Sequence, residues 1–249
     1  MRELSMSPYL AEFVGTMVLV LLGNGVCANV NLGKSLGNNG GWIVVTTGWA
    51  LAVTVAVYLT NAISGAHLNP AVTISLAVIG KFAWADAAGY IAAQIAGAIA
   101  GAVLVWLTYL QHWGETEDEG AIRGSFCTGA PIPHPPSNVM TEVIGTFVLV
   151  LGVLVVLGPQ NLVPGSDFAK GFAPVLVGVL VCSIGLSLGG ATGYAINPAR
   201  DLGPRIAHAI LPINGKGSSE WGYAWIPVVG PIAGGIIAAF FYKALWVVA

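Results

Sequence analysis

The sequence predicts an all-α membrane protein in which six transmembrane helices and two re-entrant half-helices form an inverted internal repeat. Three observations carry this prediction. Of 249 residues, 56% are hydrophobic and only 8% charged, against about 25% charged in an ordinary soluble domain. Uncharged runs at residues 13–33, 35–80, 87–114, 143–166, 171–199 and 221–242 each supply the roughly 20 residues that one helical span needs. The tripeptide Asn-Pro-Ala occurs at 69–71 and again at 197–199, each time behind a small-residue linker and at the head of a segment too short to span.

In chain order, Pro8 suits the first turn of a helix, where its missing N–H costs nothing, and span one is expected over residues 9–29. Glu12, near its start, needs a partner, because an acid inside a span faces protein or water. A turn-rich loop at 31–41, NLGKSLGNNGG, leads to span two at 42–63. After the linker 64–68, a half-helix over 69–79 would rise about 16 Å, half of a hydrocarbon core about 30 Å thick. Span three, 87–110, carries Gly97 and Gly101 four apart, a spacing that lets helix backbones approach closely. The polar stretch 111–138 holds Glu115, Glu117, Asp118, Glu119 and the run PIPHPP; a loop of this length is functional or mobile. Spans four, five and six are expected over 139–157, 171–188 and 224–247, with a linker at 189–196 and the second half-helix between the last two.

Residues 11–23, AEFVGTMVLVLLG, match residues 141–153, TEVIGTFVLVLGV, aligning Glu12 with Glu142, Gly15 with Gly145 and Thr16 with Thr146. The two triplets repeat at nearly the same offset, so the chain is read as a first repeat (1–110), a connecting loop on the extracellular side (111–138) and a second repeat (139–249). Three spans per copy is an odd number, which forces the second copy into the membrane upside down. The half-helices then enter from opposite faces and meet with both N-termini at the midplane.

Each Asn of the triplets caps its own half-helix through its oxygen and keeps an NH2 group to donate. Together with the positive ends of the two helix dipoles, this disfavours cations and protons at the centre. A lone Asn-Pro is an ordinary turn starter, but two copies at equivalent repeat positions are not. The linkers 64–68 and 189–196 are expected to be extended backbone at membrane depth, and Glu12 and Glu142 to accept their N–H groups, which have no water to bond there. That leaves the carbonyls of Gly65, Ala66 and His67, and of Gly193, Tyr194 and Ala195, to face a pore as a ladder for hydroxyls; a proton relay is the alternative. His67 reads as an anchored linker residue, because no chain of acids and histidines continues from it. His112, His134 and His208 lack ligand spacing and read as loop or helix-end residues, and Cys27, Cys127 and Cys182 are scattered and read as packing residues. No cofactor, metal or catalytic site is expected, and a net charge of -2 gives no reason to expect nucleic acid. Arg200 belongs at a pore mouth, and Asp201 and Arg205, four apart, suit each other as a pair. Arg2, Lys81, Lys170 and Lys243 fall on one face, against Lys34, Arg123 and Lys216 on the other, which places both termini in the cytoplasm.

The linker-triplet segments SGAHLNPAVT and TGYAINPARD and the repeated AEF-x-G-T and TE-x-x-G-T starts resemble the aquaporin and glycerol-facilitator family of major intrinsic proteins over about residues 8–247. The resemblance implies the aquaporin fold, a pore in each monomer and a homotetramer. Asp201 after the second triplet, Arg205, and Pro227 with Val228 are similar to the glycerol-conducting branch. The family's selectivity filter falls on Trp49, Gly185, Tyr194 and Arg200. Gly185 removes bulk, Trp49 and Tyr194 supply an apolar corner, and Arg200 donates to hydroxyls. Glycerol facilitators commonly have Phe at the position of Tyr194, and the added hydroxyl is a departure that would narrow the filter or offer another hydrogen bond, shifting the balance toward water or smaller solutes. The expected function is passive conduction of glycerol, other small neutral solutes and water across a bacterial inner membrane, without ions, protons or catalysis. A mainly water-selective channel, a coupled secondary transporter and a membrane-junction scaffold are the other readings.

Overall fold

A computed structural model describes residues 6–156, 158, 161 and 166–246, and the described residues contain nine α-helices, two 3₁₀ turns and no strand. Six helices are long and apolar enough to cross a membrane: α1 (Pro8–Asn31), α2 (Trp42–Ser64), α4 (Trp84–Thr108), α6 (Pro135–Val156), α7 (Asp167–Leu188) and α9 (Ile226–Leu245). Two shorter helices, α3 (Pro70–Val78) and α8 (Pro198–Ile210), start at the prolines of the two triplets, and α5 (Glu119–Gly124) lies in the long polar stretch. The expected ends of spans four and six at 157 and 247, and Arg2, lie outside the described residues.

Local chemistry sets the helix ends. The Ser7 hydroxyl accepts from the Leu10 N–H at 3.2 Å, and Pro8 fills the first helical position, where an N–H would have no partner. α2 stops at Gly65, whose φ of +79° is left-handed and favours glycine. α6 begins at Pro135, four residues before the expected start, because the prolines that look like a loop suit a first turn that needs no N–H groups. The 189–196 linker also differs from expectation. Its first residues, Gly189–Ala191, make a 3₁₀ turn in place of extended chain.

The bundle is held by close backbone contacts that the repeat duplicates. α1 packs on α4 and α2, and α6 packs on α9 and α7. A Cβ added at Gly97 would overlap the Phe13 carbonyl oxygen, and one at Gly234 would overlap that of Val143. Phe13 and Val143 are equivalent residues of the two copies, so this is one contact made twice. Such approaches maximise dispersion where no hydrophobic effect separates helix from lipid. Large apolar side chains such as Leu51, Val179, Ile237 and Phe240 are exposed on the outside of the bundle, a surface suited to lipid.

Candidate functional site

The two triplets meet. Asn69 caps α3 by accepting from the Ala71 N–H at 2.8 Å, and Asn197 caps α8 by accepting from the N–H groups of Ala199 and Arg200 at 3.0 and 3.2 Å. Each amide also donates across the repeat: Asn69 Nδ2 to the Ile196 carbonyl, and Asn197 Nδ2 to the Leu68 carbonyl, both at 2.8 Å. The sequence leads one to expect the NH2 group of each Asn to be an outward-pointing donor at the centre of a pore. One of its two N–H groups instead locks the half-helices together, and one remains.

The buried carboxylates hold the linkers in matching ways. Glu12 Oε1 accepts from the Ser64 hydroxyl and the His67 N–H at 2.6 and 2.9 Å, and Oε2 from the Leu68 N–H at 2.7 Å. Glu142 Oε1 accepts from the Thr192 hydroxyl and the Ala195 N–H at 2.7 and 3.0 Å, and Oε2 from the Ile196 N–H at 2.8 Å. These bonds stabilise a conformation that is otherwise unfavourable. Ala66, Leu68, Tyr194 and Ile196 have φ of +49°, +51°, +40° and +43°, the left-handed region, which costs a non-glycine residue about 1–2 kcal/mol. The linkers are therefore not simply extended; they alternate hand. Among the described residues no donor meets the carbonyls of Gly65, Ala66 and His67 or of Gly193, Tyr194 and Ala195, so these oxygens are free for a guest.

One contact of the Glu12 carboxylate has no counterpart at Glu142 among the described residues. Glu12 Oε2 receives a fourth bond, from Gln94 Nε2 at 2.8 Å, and that amide also donates to Thr73 Oγ1, which is 3.1 Å from His67 Nδ1. His67 is thus anchored, as expected. By the equivalence of Gly97 and Gly234, the second copy has Pro231 where Gln94 stands.

Two cavities share part of their lining. One, of about 170 Å³, is lined by His67, Asn69 and Asn197 and by the apolar side chains of Val53, Val57, Val153, Val177 and Val181. The other, of about 310 Å³, opens among the loops and is lined by Cys27, Trp42, Cys127, Thr128 and Gly193. Trp49, Tyr194 and Arg200 line both and so stand at the junction. There the Arg200 guanidinium carbon lies 4.0 Å from the centre of the Trp49 ring. Gly185 lines neither cavity. The Tyr194 ring covers it, since a Cβ at 185 would be 2.8 Å from Tyr194 Cζ, and the space expected to be left open by the glycine is filled by that ring. Trp42 fixes the ring from outside, edge-on at 5.7 Å, and its Nε1 donates to the Gly185 carbonyl at 2.9 Å.

The long polar stretch folds back over the junction. The Phe126 carbonyl accepts from Asn24 Nδ2 at 2.7 Å and from Arg200 Nη1 at 3.3 Å. Asp201 Oδ2 accepts from both the N–H and the hydroxyl of Thr128 at 2.7 Å, and Asp201 pairs with Arg205 at 2.9 Å, both fully buried. Asp201 and Arg205 are therefore not lumen groups; they fasten this loop to α8. Asn24, Gln94, Phe126 and Thr128 were not singled out from sequence. For Asn24 and Gln94 a signal was present, a carboxamide deep in an otherwise apolar span, which must find partners. For the Phe126 carbonyl no signal exists, because any residue carries one.

Known proteins are similar to this chain in sequence and in fold. A family model described as "Major intrinsic protein" matches residues 2–242. The chain belongs to the major intrinsic protein family. It is 60% identical over 241 residues to a protein named "Probable glycerol uptake facilitator protein" from Thermotoga maritima, covering 97% of this chain and 100% of that one. It is 58% identical to the "Glycerol uptake facilitator protein" of Bacillus subtilis, covering 96% of this chain and 85% of that one. Among solved structures it is similar to the X-ray structure of the aquaglyceroporin from Plasmodium falciparum, with a TM-score of 0.83, 31% identity and coverage of 96% and 95%. The aquaporin fold of this major intrinsic protein is thus shared with a family of channels and transporters, and the protein is a multi-pass membrane protein.

Proposed function

We propose that the protein is a passive channel for glycerol, other small neutral solutes and water. The observation that carries this reading is that Trp49, Tyr194 and Arg200 line both cavities, the inner of which is also lined by valine side chains, by Asn69 and Asn197 and by linker residues whose carbonyls meet no donor among the described residues. A polyol has hydroxyls along one side and C–H groups along the other, and this lumen offers acceptors to the first and valine, Trp49 and Tyr194 surfaces to the second. Arg200, with donors and no acceptor, and the remaining N–H groups of Asn69 and Asn197 receive the solute's oxygens. Gly185 acts indirectly, by giving the Tyr194 ring its place. Glu12 and Glu142 hold the linkers and do not relay protons. The relatives named for glycerol uptake support glycerol over a mainly water-selective channel.

In this reading residues 1–110 and 139–249 are the two repeats, 111–138 is their extracellular connection, the termini are cytoplasmic, the host membrane is a bacterial inner membrane, and four copies assemble as a homotetramer. Nothing is turned over chemically, so no cofactor is needed. The test is stopped-flow light scattering of proteoliposomes under a glycerol gradient. Glycerol is expected to equilibrate far faster than in empty vesicles and with no response to a protonophore. Equilibration no faster than in empty vesicles, with the protein folded, overturns the channel; a protonophore-sensitive flux favours a coupled transporter.

A further inference from the structure

Two arginines five residues apart on α8 are treated in opposite ways. Arg205 is fully buried and neutralised: its Nε and Nη2 donate to Asp201 at 2.9 and 3.1 Å, and its remaining donors reach the carbonyls of Ser219 and Thr128 at 2.6 and 2.8 Å. Arg200 has no carboxylate within ion-pair distance among the described residues. Its Nη1 reaches two neutral oxygens, Asn24 Oδ1 and the Phe126 carbonyl, each at 3.3 Å. The adjacent Asp201 is already committed to Arg205 and Thr128.

Asn24 links these contacts. It is 1% exposed, accepts from Arg200, and donates from Nδ2 to the same Phe126 carbonyl at 2.7 Å. Its orientation is forced, because a carbonyl only accepts and a guanidinium only donates. Resting on the channel reading above, we propose that Asn24 is the positioning residue for Arg200, and that its neutral carboxamide keeps the Arg200 charge uncompensated at the junction so that cations and protons are turned away. A carboxamide meets both requirements at once: an acceptor for Arg200 without a charge, and a donor that pins the loop carbonyl serving as the second acceptor. A carboxylate at this position has the same shape but would neutralise Arg200 and set two acceptors, its own oxygen and the Phe126 carbonyl, against each other.

The experiment compares wild-type protein with Asn24→Asp and Asn24→Ser in proteoliposomes. Glycerol flux and water flux are read by light scattering, and proton leak by an internal pH dye under a valinomycin-set potassium diffusion potential. Asn24→Asp is expected to raise the proton leak about tenfold or more, the order expected when a unit charge a few ångström away is cancelled, while glycerol flux persists. Asn24→Ser stays neutral but its side chain is too short to bridge both partners, so it is expected to remain proton-tight while its glycerol-to-water flux ratio shifts about fivefold through loss of one acceptor. A folded Asn24→Asp protein with wild-type leak overturns the proposal, as does an equal loss of both fluxes in Asn24→Ser with no change in ratio, which is what a merely structural role produces. Should Asn24→Asp fail to fold, the ratio in Asn24→Ser decides: a shift supports the proposal and an unchanged ratio overturns it. Failure of the channel reading is seen separately, as a wild-type protein that passes no glycerol.

Discussion

Replacing Glu12 with glutamine keeps the shape of a buried carboxylate and removes one of its two acceptors. The carboxylate receives four hydrogen bonds, from Ser64 Oγ, the N–H groups of His67 and Leu68, and Gln94 Nε2, at 2.6, 2.9, 2.7 and 2.8 Å. Ser64 and Gln94 can turn to accept, but a backbone N–H cannot, so whichever way the new amide points, the N–H of His67 or of Leu68 faces an NH2 group. A hydrogen bond to a charged acceptor contributes about 1.5–3 kcal/mol, and the left-handed Ala66 and Leu68 together cost about 2–4 kcal/mol. The two backbone bonds thus roughly offset the linker's strain, and losing one leaves a deficit of about 2 kcal/mol, enough to deplete the linker conformation about thirtyfold. Global stability is expected to change less, because a neutral amide is easier to bury than a charge. The assay is glycerol and water flux in proteoliposomes alongside a thermal melt. Both fluxes are expected to fall about tenfold or more while the melt moves little; a folded Glu12→Gln protein that conducts at the wild-type rate refutes the reasoning.

Gly185→Ala would place a Cβ 2.8 Å from Tyr194 Cζ and 2.9 Å from Thr46 Cγ2, so it is expected to push the Tyr194 ring into the junction and depress glycerol flux more than water flux; equal losses would count against a filter at this position. Lys216 Nζ donates to the carbonyls of His208, Ala209 and Leu211 at 2.9, 2.8 and 2.7 Å, capping the end of α8, so Lys216→Met should lower stability by about 1–2 kcal/mol and the melting temperature by about 2–6 °C. Burial pushes the Cys127 thiol up to about 12. Since the thiolate is the reactive form, Cys127 in the folded protein should resist maleimide through pH 9 and label only on unfolding, and labelling at the rate of an exposed cysteine would contradict its burial within the loop.

Much of the architecture was legible because a bilayer allows so few solutions. Runs of uncharged residues long enough to span gave the six helices, and the paired triplets gave the half-helices, since broken chain at membrane depth needs a stated reason. That Glu12 and Glu142 accept linker N–H groups was legible for the same reason, since each copy carried one acid near N–H groups that needed an acceptor, whereas the Ser64, Thr192 and Gln94 donors were not. Pro135 misled, because proline reads as a loop signal and as a helix start with equal force. Gly185 misled differently. A glycine announces missing bulk, and nothing in the sequence states which neighbour fills the space; here it is Tyr194, 9 residues further on.

By itself, the sequence determined the number of spans, the inversion of the second copy, the meeting of two asparagines and the presence of an arginine directly after the second triplet. These follow from length, parity and residue type, which act locally or through symmetry. Only the tertiary structure decided how Asn69 and Asn197 divide their donors between the lumen and each other, that Asp201 belongs to Arg205 and the loop at Thr128, and that Asn24 and a backbone carbonyl hold Arg200. Hydrogen-bond donors and acceptors outnumber the pairs that any one fold forms, and the choice among them depends on which groups, 74 or 176 residues apart in the chain, are brought within about 3 Å.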